Sequence, residues 1–322
     1  QNGTFDLTGM TITLDGGSAS DDSTITCSGS LGGTVVLTKT AINGGADITV
    51  ASGCSISLGV SPTSKISPVN SSTGLINNGT ITISSGTWTI NTSDTSGNPS
   101  HYIISNFGTI THSGTGWDIN DGRLVNNSGG AITYAGTAIT LEGSFTQNGT
   151  FDLTGMTITL DGGSTTDDST LTCGSTLAGN LTINKTNATS DTTLGGNCTV
   201  SGTFTRTDGP ITNPASAYTL TVQGDFSMST TDTFGGANMT FAMGGGNTQT
   251  ITQNAGSISG PFSVNKSAGT ASIASGLNLA TGSTCNVVEG TFGINGRTFT
   301  CGSTFTVEDG GVLQRFGTSG ES

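Results

Sequence analysis

Apolar positions alternate with β-branched polar ones along most of this chain. In Thr11–Leu14, Ile12 and Leu14 alternate with Thr11 and Thr13. Ile81 and Ile83 precede a break at Gly86, and Trp88 and Ile90 follow it. Leu220 and Val222, then Phe226 and Met228, flank a second break of the same kind. A period of two marks a strand with one buried face. Glycines and Asn-Gly pairs, such as Asn78-Gly79 and Asn295-Gly296, punctuate these runs every few residues, as turns require. No window of helical length carries a 3.6-residue period. The pattern predicts many very short strands and no helix.

A long repeat overlies this short period. The stretch QNGTFDLTGMTITLDGGS opens the chain and returns unchanged from Gln147 to Ser164. Beyond it Asp21-Asp22 match Asp167-Asp168, and Cys27 matches Cys173. A weaker third copy starts at Gly290. A second marker reads VVLTKT at 35–40, LTINKT at 181–186 and FSVNKS at 262–267. The chain therefore divides into a first repeat, 1–146, a second, 147–289, and a partial third, 290–322. A propeller would repeat every ~40–50 residues, and a sandwich would use longer strands joined by hairpins. Short strands with nested repeats and small polar outer residues predict an all-β fold, a parallel β-solenoid (β-helix) of Thr/Ser/Gly-rich rungs. Rungs of about 20–27 residues would give about 12–16 of them.

Composition narrows the class. Only 9% of the 322 residues are charged and 31% are hydrophobic, with 52 glycines. Disorder pairs high net charge with little apolar patterning, and the recurring apolar runs point to a folded chain instead. Eight basic residues against 21 acidic ones give a net charge of −13. The four lysines and four arginines are scattered, which excludes the basic stripe of a nucleic-acid binder. No apolar run is long enough to span a membrane. No basic-plus-apolar leader stands at the start, so export implies a leader removed or lying upstream.

The segments GTFDLTGMTITLDGG, GNLTINKTNATSDTTLGGNCTVSGTF (179–204) and GPFSVNKSAGTASIASGLNLATGSTCNVVEGTFGINGRTFT (260–300) carry a family likeness. In them the chain resembles the repetitive β-helical regions of bacterial surface proteins, adhesins and autotransporter passengers. The resemblance implies an extracellular, cell-surface rod that serves as a stalk or adhesive fibre, with no active site.

The six cysteines, Cys27, Cys54, Cys173, Cys198, Cys285 and Cys301, all sit on the inward phase of their runs. Neighbouring rungs lie about 4.8 Å apart, and a disulfide needs Cα atoms about 4.4–6.8 Å apart. Sequential pairing therefore predicts Cys27–Cys54, Cys173–Cys198 and Cys285–Cys301, one of about 15 connectivities. The alternative is a set of buried thiols. Zinc is disfavoured, because no Cys-x-x-Cys occurs. Three disulfides would place the chain outside the cytosol.

Asp15, Asp21 and Asp22 recur as Asp161, Asp167 and Asp168. Their functional reading is a Ca²⁺ site at a rung corner, although the spacing matches no EF-hand or nonapeptide calcium repeat. Their structural reading is a polar turn with carboxylates on local amides. His101 and His112 are placed to flank one rung. No nucleophile elbow, zinc-protease motif or phosphate loop is present. Asp118, Asp121 and Glu142 are sparse and unaccompanied, so the chain is read as non-enzymatic. Asn78, Asn91, Asn184 and Asn187 begin Asn-x-Ser/Thr triplets that permit glycosylation. Lys39, Lys185 and Lys266 recur at one repeat position and are expected to face outward, toward acidic groups.

The leading expectation is a non-catalytic extracellular structural protein, a filament subunit or adhesive stalk. An internal-type rung at residue 1 suggests either a piece of a longer repeat protein or head-to-tail stacking of identical chains. Self-association is thus the first partner, and glycans or a neighbouring cell surface the second. The alternative is a carbohydrate- or ice-binding module whose flat face is built from Thr11/Thr13, Thr24/Thr26, Thr80/Thr82 and Thr157/Thr159. Their irregular spacing counts against it. A polysaccharide-processing β-helix enzyme is the third reading.

Overall fold

The computed structural model describes residues 10–14, 23–39, 48–66, 74–91, 103–120, 122–165, 167–174 and 176–315. Every described element is a strand or a turn, most strands being short, and every registered strand pair is parallel. The chain divides into two compact units, 1–169 and 170–322. Each is a parallel β-solenoid, and together they make about 11 turns. That is fewer than a 20–27-residue rung predicts. One reason is visible in unit 1, where the turn from Asn77 to Asn106 takes 29 residues.

Unit 1 is three-sided. The chain visits three parallel sheets in rotation, so consecutive strands lie on different faces. The first face runs through Thr34–Lys39, Thr63–Ile66, Thr87–Asn91, Gly116–Ile119, Ala138–Leu141 and Thr157–Gly162. The second holds Ile48–Val50, Leu75–Asn77, Ile103–Asn106, Arg123–Asn126 and Phe145–Gln147. The third holds Cys54–Val60, Thr80–Ser85, Thr109–His112, Ala131–Tyr134 and Thr150–Phe151.

Period-two alternation sets what points in. In Thr109–His112 the second and fourth residues are buried, as in Gly116–Ile119 and Arg123–Asn126. Parallel register then stacks like on like. Ile81, Ile110 and Ile132 form one inward column, and Leu75, Ile104, Leu124 and Phe145 another. Trp88 pairs with Trp117, their rings stacked 5.2 Å apart. Burying each such aliphatic side chain contributes about 1.5–3 kcal/mol.

Unit 2 keeps two full sheets. One joins Cys198–Val200, Tyr218–Val222 and Met239–Gly244, and the other joins Asn180–Lys185, Phe204–Asp208, Phe226–Met228 and Gln249–Gln253. Its third side is thin. Thr192, Ile211, Phe234, Ile258 and Leu279 are linked only by single parallel bridges. The interior is filled by a run of phenylalanines: Phe226 lies 5.5 Å from Phe204 and 4.6 Å from Phe241.

Candidate functional site

Three disulfides clip successive turns together. They join Cys27 to Cys54, Cys173 to Cys198 and Cys285 to Cys301, with Cα atoms 4.7, 4.9 and 6.1 Å apart. Five of these cysteines are buried, and Cys301, bonded to the buried Cys285, is partly buried. Such bonds fit an oxidising compartment outside the cytosol. Among the described residues, no helix is long and apolar enough to cross a membrane.

A second column is polar and was missed from sequence. Asn77, Asn106, Asn126 and Gln147 stack at the inner edge of unit 1's second face, none more than 5% exposed. Asn77 Nδ2 donates to Asn106 Oδ1 at 2.8 Å, and Asn106 Nδ2 to Asn126 Oδ1 at 2.8 Å. Asn126 Nδ2 reaches Gln147 Oε1 at 3.4 Å. Each Asn Nδ2 also donates to a backbone carbonyl, of Thr109, Ala131 and Thr150 in turn. The three Asn amides are thus satisfied by the next turn, and Gln147 Nε2 by the Gly149 carbonyl, as burial of polar groups requires. A signal existed: Asn-x-Gly at 77–79 and 106–108, and Gln-x-Gly at 147–149.

The lysines overturn their expectation. Lys185 and Lys266 are 0% exposed and point inward. Lys266 Nζ donates to Gln249 Oε1 at 2.5 Å and to the Gly244 carbonyl at 3.3 Å. Burial lowers its pKa. Arg206 is also fully buried, donating to the carbonyls of Gly209 and Thr233 and lying 5.6 Å over the Phe234 ring. Burial pushes its pKa down to about 10, against the pull of Asp232 and Asp208. Carbonyl oxygens of the backbone and of the Gln249 side chain accept from Lys266, and backbone carbonyls accept from Arg206. The side chain of Lys39 lies outside the described residues.

The carboxylates are local. Asp161 Oδ1 accepts from the Gly162 amide at 2.8 Å, and buried Asp167 accepts from the Ser164 amide at 2.7 Å. Asp168 is exposed. Asp15, Asp21 and Asp22 lie outside the described residues, as do Asp121 and His101. Among the described residues no group of three or more His, Cys, Asp and Glu side chains is placed to hold a metal. Asp118 sits on the outer side of its strand, and burial with the nearby Asp161 raises its pKa. A cleft of about 510 Å³ in unit 1 holds one carboxylate, Asp152, beside Thr133, Thr137, Thr154 and Met156.

Of the glycosylation candidates, Asn78 is exposed. Asn184 accepts from Thr207 Oγ1 at 2.6 Å, and Asn187 accepts from the amide and hydroxyl of Thr189. The side chain of Asn91 lies outside the described residues.

Unit 1's third face presents an ordered hydroxyl surface. Outward positions align as Ser55, Thr80, Thr109, Ala131 and Thr150, and beside them as Ser57, Thr82, Thr111 and Thr133. Neighbours lie about 4.8 Å apart across strands and about 6.6 Å apart along them. The irregular sequence intervals are absorbed by the loops, so they do not disturb the register. Of the Thr-x-Thr pairs singled out from sequence, Thr80/Thr82 lies on this face and the others do not. Thr11/Thr13 and Thr157/Thr159 lie on the first face, and Thr24 pairs on the second. In comparisons with known proteins, no family model, no curated protein and no solved structure matches this chain.

Proposed function

We propose that this chain is a non-catalytic structural element of an extracellular fibre or cell-surface stalk, built by end-to-end stacking of β-solenoid turns. The observation that carries the reading is self-templating. Ile81 meets Ile110 and Ile132, Trp88 meets Trp117, and Asn77 meets Asn106 and Asn126, each in register. A turn whose two surfaces match each other offers a second copy the same register that it offers its own neighbour. Such heterologous contacts extend without closing. The disulfides support service in an oxidising exterior. An adhesive fibre of this kind would meet glycans or a neighbouring cell surface along its sides. Electron microscopy of the native, uncrosslinked material tests the proposal. Fibres are expected, and single short particles at every concentration would overturn it. Release of reducing sugar from acidic glycans would overturn its non-catalytic part.

A second reading rests on the charge-free hydroxyl face of unit 1, which suits a periodic surface of carbohydrate or ice. Thr109 and Thr111 lie at its centre. Ice-recrystallisation and glycan-array assays test it, and inactivity in both removes it.

A further inference from the structure

One histidine of unit 1 is held in a single neutral form at the heart of its aromatic cluster. His112 ends the strand Thr109–His112 and is 1% exposed. Its ring centroid lies 4.9 Å from that of Tyr134, 5.7 Å from Trp117 and 6.4 Å from Trp88. In its column it pairs with Ile83 on one side and Tyr134 on the other, both uncharged.

Two backbone groups at the corner that follows His112 in the chain determine where the ring proton sits. The Gly114 amide donates to Nδ1 at 2.9 Å, so Nδ1 is an acceptor and carries no proton. Nε2 therefore carries it and donates to the Gly116 carbonyl, 2.9 Å away. An amide only donates and a carbonyl only accepts, so neither partner can exchange roles. A second proton could enter only at Nδ1. It would turn the Gly114 bond into a donor–donor contact and leave a cation in a buried site.

Among the described residues no counter-charge faces it. The strands packed around the ring present Ile83, Trp88, Trp117 and Tyr134. The Tyr134 hydroxyl donates to the Ala138 carbonyl, and burial pushes its pKa up to about 12, so it stays neutral. Asp118 follows Trp117 but lies on the outer side of that strand.

We infer that His112 is an acid-sensitive latch, whose protonation at Nδ1 frees the Gly114 turn and loosens the aromatic cluster of unit 1. Burial lowers the pKa of the folded ring from 6.5. The unfolded ring therefore binds its proton first as the pH falls. Stability is full above 6.5 and declines through the window below it, until the folded ring also titrates.

The chain has two tryptophans, and both belong to this cluster, so the emission of the intact chain reports on it. Acidification below 6.5 should red-shift that emission and remove hydrogen-exchange protection at Gly114. His112→Phe keeps a ring without the proton site and should stay flat down to the range where carboxylates titrate. The same acid transition in His112→Phe, or unchanged emission and Gly114 protection in the unaltered chain, overturns the inference. If His112→Phe does not fold, the imidazole titration of the unaltered chain decides. A native ring that titrates at or above 6.5 with the Gly114 amide still protected overturns the latch.

Discussion

Gly209 lies directly over Lys185. A Cβ built on Gly209 would collide with the Cβ of Lys185 and lie 2.8 Å from its carbonyl oxygen. Gly290 stands in the same relation to Lys266, with carbonyl oxygen and Cβ at 2.7 and 2.8 Å. Both glycines have positive φ, +83° and +78°, and both follow a register shift after the paired strand. The recurrent Asn-Lys is thus matched one turn later by an acidic residue and glycine, Asp208-Gly209 and Glu289-Gly290.

Gly209→Ala should therefore destabilise unit 2 by about 2–4 kcal/mol, from left-handed strain plus overpacking. Urea unfolding of the variant measures this. A loss below about 0.5 kcal/mol would mean that the bulge relaxes freely.

Removing Cys173–Cys198 by paired serine substitution releases a loop of 25 residues. The expected loss is about 3 kcal/mol, most of it through a less constrained unfolded chain. Thermal melts of the paired variant read this loss, and reductant should lower the melting temperature of the unaltered chain further still, because it opens all three bonds.

Asn106→Ala breaks the ladder at its middle. It deprives Asn77 Nδ2 of one partner and Asn126 Oδ1 of its donor, both in the interior. Each unsatisfied group costs about 1–3 kcal/mol. Because the members share partners, Asn77→Ala combined with Asn106→Ala should cost less than the two losses added. A double-mutant cycle in urea reads this directly.

Lys266 makes stability rise with alkaline pH. Its pKa is lowered from 10.5 by burial, so the folded chain releases the proton before the unfolded chain does. Stability is least below the folded value and climbs as the pH approaches 10.5. Lys266→Gln retains a donor without the charge and should flatten that climb. A pH series of denaturant midpoints for both chains decides it.

Much of this architecture is legible in the letters. Alternation at Thr80–Ser85 and Gly116–Ile119 assigns inward and outward residues correctly, because a strand has only two sides. Sequential cysteines pair because each turn lies on the last. The third dimension is less legible. Thr-x-Thr motifs look alike, yet Thr80/Thr82 and Thr157/Thr159 lie on different faces, because loop lengths decide which side a strand joins. The inward Lys266 and the Asn ladder defeat residue-type reasoning for a common reason. Backbone carbonyls at the corners supply acceptors that no side-chain pattern announces.

The disulfides also decide how the chain responds to force. Pulled from its ends, an unclipped β-solenoid unravels turn by turn and pays out its full contour. The Cys27–Cys54 bond encloses 27 residues, about 90 Å of extended polypeptide. Tension entering at Cys27 passes through sulfur to Cys54 and bypasses that turn. The enclosed segment therefore stays slack under load, and its contour is withheld from the lengthening tether for as long as the bond holds.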